Sequence, residues 1–265
     1  MQPFLLLLLG RPKADETRPH PHQGILPKFQ RVHPSHYGLA VQHKDKLKDL
    51  RSGKPCLSIL NLPGGFKRAV SVQDVPANPE LVWRLIMDFD KYSTMVDGCD
   101  KCKVYKKTAK AGRQIICAKY RVSAGPFGME YFMEHTYEPR KSCMTFHLDY
   151  SRFSEFSDTV GYWYVEKLPD GWSRIYYSAD SKLPAWVPAF ARDKLINMAV
   201  SQSTSWVDFQ CKLATGKVTG RREGAVKKWV RRLAVVVAAV WTRKHRNVLE
   251  KVCHFHRCDY IKSHS

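Results

Sequence analysis

Six consecutive stretches between residues 99 and 182 alternate with a period of two, and this constrains the fold more than any other feature of the chain. "RQIICAKYRVS" places Ile116, Ala118, Tyr120 and Val122 on one side and Lys119 and Arg121 on the other. "MEYFMEHTYEP" sets Met129, Tyr131, Met133 and His135 against Glu130, Phe132 and Glu134. "CMTFHLDYS" groups Met144, Phe146, Leu148 and Tyr150, and puts His147 with Thr145 and Asp149. "CKVYKKT", "DTVGYWYVEKL" and "WSRIYYSADSKL" complete the series, with turn signals at Lys-Ala-Gly, Gly125-Pro126 and Pro169-Asp170-Gly171. Adjacent alternating segments joined by short turns predict a meandering antiparallel sheet.

Two helical signals flank the sheet. An initial strand, "FKRAVSVQDV", runs into "PANPELVWRLIMDFDKYSTMVDG". There Asn78 can cap the free amides and Pro79 suits the first helical position. Leu81, Val82, Leu85, Ile86 and Phe89 share one face, and Gly98 ends the segment. After "LPAWVPAF", Leu195, Ala199, Gln202, Trp206, Phe209 and Leu213 fall 4, 3, 4, 3 and 4 residues apart, one continuous helical face that Gly216 closes. The order predicts an α+β fold: a curved antiparallel sheet wrapped round a long C-terminal helix over about 188–214.

Three segments emerge. Residues 1–66 are rich in Pro, His and Lys and poor in acids, without a steady period, and read as a disordered basic segment and a candidate transit peptide; a mispredicted gene start explains them equally. Residues 67–215 read as the central folded domain, and 216–265 as a basic amphipathic helical tail. Net charge is +7 over residues 1–67, +3 over 68–215 and +10 over 216–265. With the folded part nearly balanced, nucleic acid is disfavoured and an anionic membrane surface or a targeting role preferred. The apolar run Phe4–Leu9 is too short for a membrane span. In the tail, Trp229, Leu233, Val236, Val240 and Trp241 share a face. Lys227, Lys228, Arg231 and Arg232 lie opposite, and Arg243 and Lys244 follow. An interfacial helix fits this pattern, with Lys227, Lys228, Trp229, Arg231, Arg232, Trp241, Arg243 and Lys244 as membrane contacts. A calmodulin-type target helix and a helix docked on its own domain share the composition.

The eight cysteines are scattered and read as free thiols in a reduced compartment. Cys99-Asp-Lys-Cys102 lacks a matching second pair at zinc-finger spacing. Cys253-His-Phe-His-Arg-Cys258 is the other metal candidate, and no metal or other cofactor is expected at either place.

"VPANPELVWRLIMDFDKYSTMVDGCDKCKVYKK" and "LPAWVPAFARDKLINMAVSQSTSWVDFQCK" resemble the opening and closing parts of START-related (SRPBCC, helix-grip) domains, over about residues 68–214. The nearest subgroup is that of polyketide cyclase/dehydrase and lipid transport, which includes coenzyme Q-binding proteins. The resemblance implies a helix-grip fold with a hydrophobic cavity, used by some members for carriage and by others for catalysis. No His/Cys pair has Rieske spacing, no acid–base pair is committed to cyclisation, and the gate loops of the hormone receptors are not recognisable. No catalytic residue is assigned.

Ligand contacts are expected from Tyr120, Tyr131, Met133, His135, Phe146, Tyr150 and Trp163 on the strands and Met198, Gln202 and Trp206 on the helix. Plain core packing is the competing explanation for each. Gln202 stands out as an amide on an apolar face that must find a partner. The leading expectation is a carrier of a lipid, isoprenoid or quinone at a chloroplast or mitochondrial membrane. The alternatives are a cyclase/dehydrase-type enzyme, an interaction module acting through the tail, and a cytoplasmic location. Oligomeric state is not legible.

Overall fold

The computed structural model describes residues 12–29, 50–61, 67–124, 127–184, 187 and 203–219, all within one unit, Met1–Arg222. Eight strands form one antiparallel sheet: β1 (Cys56–Asn61), β2 (Lys67–Val75), β3 (Cys99–Lys110), β4 (Arg113–Ala124), β5 (Phe127–Glu138), β6 (Cys143–Leu148), β7 (Asp158–Lys167) and β8 (Ser173–Lys182). Their spatial order is β1-β2-β8-β7-β6-β5-β4-β3, so β2 closes against the last strand while β3 to β8 meander. Helix α1 (Pro79–Ile86), a 3-10 turn (Phe89–Lys91) and α2 (Tyr92–Met95) connect β2 to β3, and α3 (Ser205–Ala214) follows the sheet. This is the expected α+β, helix-grip order.

Local chemistry sets α1 as the sequence predicts. The Asn78 side chain accepts from the Leu81 amide at 2.9 Å, Pro79 opens the helix, and Val82, Trp83 and Ile86 are buried. The indole N–H of Trp83 donates to the Ser142 hydroxyl at 3.0 Å, which donates to the Val165 carbonyl, so α1 is latched to the β5–β6 turn. The sheet's inner side carries the main core. Where Phe146 pairs with Gly161 across β6 and β7, its ring lies so close that a Cβ on Gly161 would sit 2.2 Å from Phe146 Cζ. Glycine is needed there for space rather than for its dihedral freedom.

On the outer side the structure corrects the expected boundary at 67 and, for residues 12–29 and 50–61, the expected disorder. β1 pairs with β2 from Cys56↔Val72 to Asn61↔Lys67 and belongs to the domain. Residues 12–29 pack across the far ends of β5 to β7. Asp15 bridges to Phe153, and the His20 amide donates to the Tyr150 carbonyl. His20 Nδ1 accepts from the Ser154 amide while Nε2 meets the Ser157 carbonyl. The amides of Ile25 and Leu26 both donate to Asp158 Oδ2, at 2.7 and 2.8 Å. Leu50 and Phe29 join Val70, Val72, Tyr162 and Tyr176 in a second, outer cluster. The hydrogen-bonded anchors of residues 15–26 come from more than 120 positions away, so they leave no periodic trace in the segment itself.

Helix α3 buries Trp206, Val207 and Cys211, and is tied to β2 where Thr204 Oγ1 meets Ser71 Oγ at 3.0 Å. Gly216 adopts φ 69°, the stop the sequence signalled. Met198 and Gln202 lie outside the described residues, as do Lys227, Lys228, Trp229, Arg231, Arg232, Trp241, Arg243 and Lys244 of the tail. No described helix is long and apolar enough to cross a membrane.

Candidate functional site

Inward alternation on five strands, with α2 and α3 behind, brings aromatic rings into a closed belt. Going round it, Tyr120, His135, Phe146, Tyr177, Trp163, Trp206 and Tyr92 succeed one another with centroids 5.9, 5.7, 6.0, 4.4, 6.2 and 5.4 Å apart. Tyr92 closes back on Tyr120 at 6.2 Å. Phe89 bridges His135 and Tyr92 at 4.7 and 5.2 Å, and Tyr131 stacks flat on Tyr120 at 5.2 Å. Met133 is buried in the same cluster.

The polar atoms in this belt are unevenly satisfied. The Tyr92 hydroxyl donates to the Ile86 carbonyl, which fixes the turn after α1. The Tyr120 hydroxyl meets His135 Nε2 at 3.0 Å, while His135 Nδ1 is buried without a partner among the described residues. An unpaired polar atom in such surroundings costs about 1–3 kcal/mol. Tyr131 and Tyr177 lie deep in the domain, yet each retains accessible surface. Neither hydroxyl makes a hydrogen bond among the described residues.

Burial dominates the titration behaviour. It pulls His135 down to about 3, with a minor contribution from His147, so the imidazole is neutral at physiological pH. Burial raises Tyr120, Tyr131 and Tyr177, which stay phenols. Cys99 and Cys102 are free and buried, each thiol pushed up to about 12 chiefly by burial. A register shift in β3 between Cys99 and Lys101 turns both thiols inward despite their odd spacing. Among the described residues no group of His, Cys, Asp or Glu is arranged to hold a metal.

Of the residues expected to meet a ligand, Tyr120, Tyr131, Met133, His135, Phe146, Trp163 and Trp206 are brought together here. Tyr150 belongs to the same buried cluster, at its edge. The chain turns after Leu148, and the Tyr150 ring also stacks on His147 at 5.6 Å and faces His20 and His22 of the N-terminal segment. Its hydroxyl donates to Asp158 Oδ1 at 2.9 Å. Tyr177 and Tyr92 were missed. Tyr177 alternates with Ile175 and Ala179 and was legible by period. Tyr92 follows a 3-10 turn and carries no periodic signal. An open surface cleft of about 600 Å³ is lined by Asn78, Glu80, Leu81, Arg84, Gly171 and Thr215, none of which belongs to the belt.

Residues 75–203, just under half of the chain, match the family model described as polyketide cyclase / dehydrase and lipid transport. The match falls within the central domain expected at residues 67–215. Among solved structures the chain is similar to a START superfamily protein from Mycobacterium smegmatis, at 12% identity over 56% of this chain and 98% of that one, TM-score 0.46. It is also similar to a STAR-related lipid transfer protein from Xanthomonas axonopodis, at 13% identity over 60% and 99%, TM-score 0.44. A third likeness is to the Zhui aromatase/cyclase from Streptomyces sp. R1128, at 14% identity over 57% and 93%, TM-score 0.43. No curated protein matches the sequence. At such distances function has to be read from the chain's own residues.

Proposed function

We propose that the protein binds a hydrophobic small molecule of the lipid, isoprenoid or quinone kind in a hollow bounded by the aromatic belt, and carries it at an anionic membrane surface. One observation carries the reading: Tyr131 and Tyr177 lie deep inside the domain yet keep accessible surface, and their hydroxyls have no hydrogen-bond partner among the described residues. Side chains show that combination when they line an internal space rather than fill it. Transfer from bilayer to hollow is driven by apolar burial, about 0.8 kcal/mol per methylene, which lets the protein compete with lipid.

Charge supports the surface. The domain is nearly balanced overall, but Lys101, Lys103, Lys106, Lys107 and Lys110 all project, exposed, from the edge strand β3. Among the described residues none of the five pairs with a carboxylate. Lysines on an edge strand also guard against strand addition. Five on one strand additionally present a field worth about 1 kcal/mol per residue near anionic lipid. The basic tail sequence adds to it. A peripheral place on a chloroplast or mitochondrial membrane follows as part of this proposal.

A cyclase/dehydrase-type enzyme is the second reading, with Tyr120 and His135 as the acid–base pair. The depressed His135 makes a poor base near neutrality, where a catalytic pKa close to 7 serves best. That favours binding. Solvent extraction of the purified full-length protein followed by mass spectrometry is the test. A stoichiometric apolar species supports carriage, whereas an empty protein that neither takes up nor releases lipid between vesicles removes it.

A further inference from the structure

We propose that His135 donates from Nδ1 to the head of the occupant, so that the ligand is a neutral apolar molecule bearing a carbonyl-type acceptor oxygen. The inference rests on the carrier reading and adds the chemistry of the ligand's polar end.

His135 sits mid-strand in β5, paired with Ile116 on one side and Phe146 on the other, and is 5% exposed. Phe89, Tyr120 and Phe146 surround its ring. One nitrogen is engaged by Tyr120 at 3.0 Å and the other has no partner among the described residues. Buried polar atoms are paired in the great majority of cases, and one without a partner marks where a ligand atom can belong; Nδ1 itself keeps no accessible surface, so the occupant's oxygen reaches it only as the rings around it shift.

Acid–base chemistry gives the bond its direction. A phenol is a far stronger acid than a neutral imidazole N–H, and an imidazole nitrogen a better acceptor than a phenol oxygen. Tyr120 therefore donates its O–H to Nε2, which leaves the ring proton on Nδ1. This tautomer is assigned from the network. Nδ1 is then a donor, and its complement is an acceptor: a ketone, quinone or ester oxygen. Because burial keeps the imidazole neutral, the site lacks the cation that a carboxylate or phosphate head requires.

The test uses the full-length, delipidated protein and three probes of nearly equal size: 2-acetylnaphthalene, 2-ethylnaphthalene and 2-naphthoate. The wild type should bind the ketone about tenfold more tightly than the ethyl compound, and more tightly than the carboxylate. In His135→Phe the ketone should fall to the affinity of the ethyl compound, which is itself retained. The carbonyl stretch of the bound ketone should move to lower wavenumber in the wild type alone. If 2-ethylnaphthalene binds and the ketone shows no preference, or the same preference in H135F, the donor assignment is overturned and the carrier reading survives. If neither neutral probe binds, both are overturned. Should H135F fail to fold, ¹⁵N NMR of the wild-type imidazole decides: a proton on Nδ1 is expected, and a proton on Nε2 rejects the proposal.

Discussion

The two sides of the sheet each bury a histidine, and they treat it in opposite ways. On the outer side both nitrogens of His20 are engaged, by the Ser154 amide and the Ser157 carbonyl. Asp158 beside it accepts from the amides of Ile25, Leu26 and Thr159 and from the Tyr150 hydroxyl. On the inner side, among the described residues, His135 is half satisfied, the hydroxyls of Tyr131 and Tyr177 make no hydrogen bond, and Gln73 Oε1 is unpaired as well. Saturated polar groups contribute stability, whereas open ones cost it. The outer side closes the domain, and the inner side is where the proposed ligand would complete the open groups.

The contrast can be broken in four ways, from the largest expected effect to the smallest. Gly161→Ala drives a methyl to 2.2 Å from Phe146 Cζ and 2.4 Å from the Ser178 carbonyl. A loss of about 3 kcal/mol in denaturant unfolding is expected. An unchanged midpoint would mean the inner side is loose enough to absorb a methyl at its tightest point.

Asp158→Asn keeps the shape but turns an amide N–H₂ toward donors. It should cost about 2 kcal/mol and raise hydrogen exchange at Ile25 and Leu26 before that of the sheet. Burial alone would raise this carboxyl; the hydrogen bonds from Ile25, Leu26, Tyr150 and Thr159 outweigh it and hold the group below the usual carboxylate range. Its contribution is thus present above the unfolded value and lost as the pH falls through the folded one.

The two histidines should then part. His20→Phe orphans the Ser154 amide and should destabilise by about 1–2 kcal/mol, while the double variant His135→Phe with Tyr120→Phe removes both members of an incompletely satisfied pair and should stay within about 1 kcal/mol of wild type in thermal unfolding. Equal losses at the two sites would erase the contrast.

The pH profile sharpens the same point. Below about 6.5 the unfolded chain takes up a proton at His135 that the folded state, at about 3, refuses. Stability should decline as the pH drops through that window. The decline should be shallower in the double variant, measured as the slope of unfolding free energy against pH. Identical slopes would place His135 in wetter surroundings than its burial indicates.

Much of the fold was legible in local patterns. The alternation of Ile116, Ala118 and Tyr120, or of Tyr131, Met133 and His135, fixed which side of each strand faces inward, because one strand carries that information by itself. Asn78 and Pro79 set the start of α1 for the same reason. Tyr150 continues the alternation of Met144, Phe146 and Leu148 into the same buried cluster although β6 ends at Leu148, but its bond to Asp158 and its contacts with His20 and His22 leave no mark on that period. The lysines of β3 show another limit, since a net charge of +3 over the domain conceals five cations gathered on one edge.

The sequence by itself determined the order of elements, the inward sets and the helix caps, all of which depend on neighbours a few residues apart. Only the tertiary structure decided that residues 12–29 and β1 belong to the domain, that seven rings from four regions of the chain close into a belt, and that one nitrogen of His135 is left open. Hydrogen bonds between residues 15 to 140 positions apart leave no period to read. Whether a buried polar atom is paired is a property of the whole packed arrangement, not of the residue that carries it.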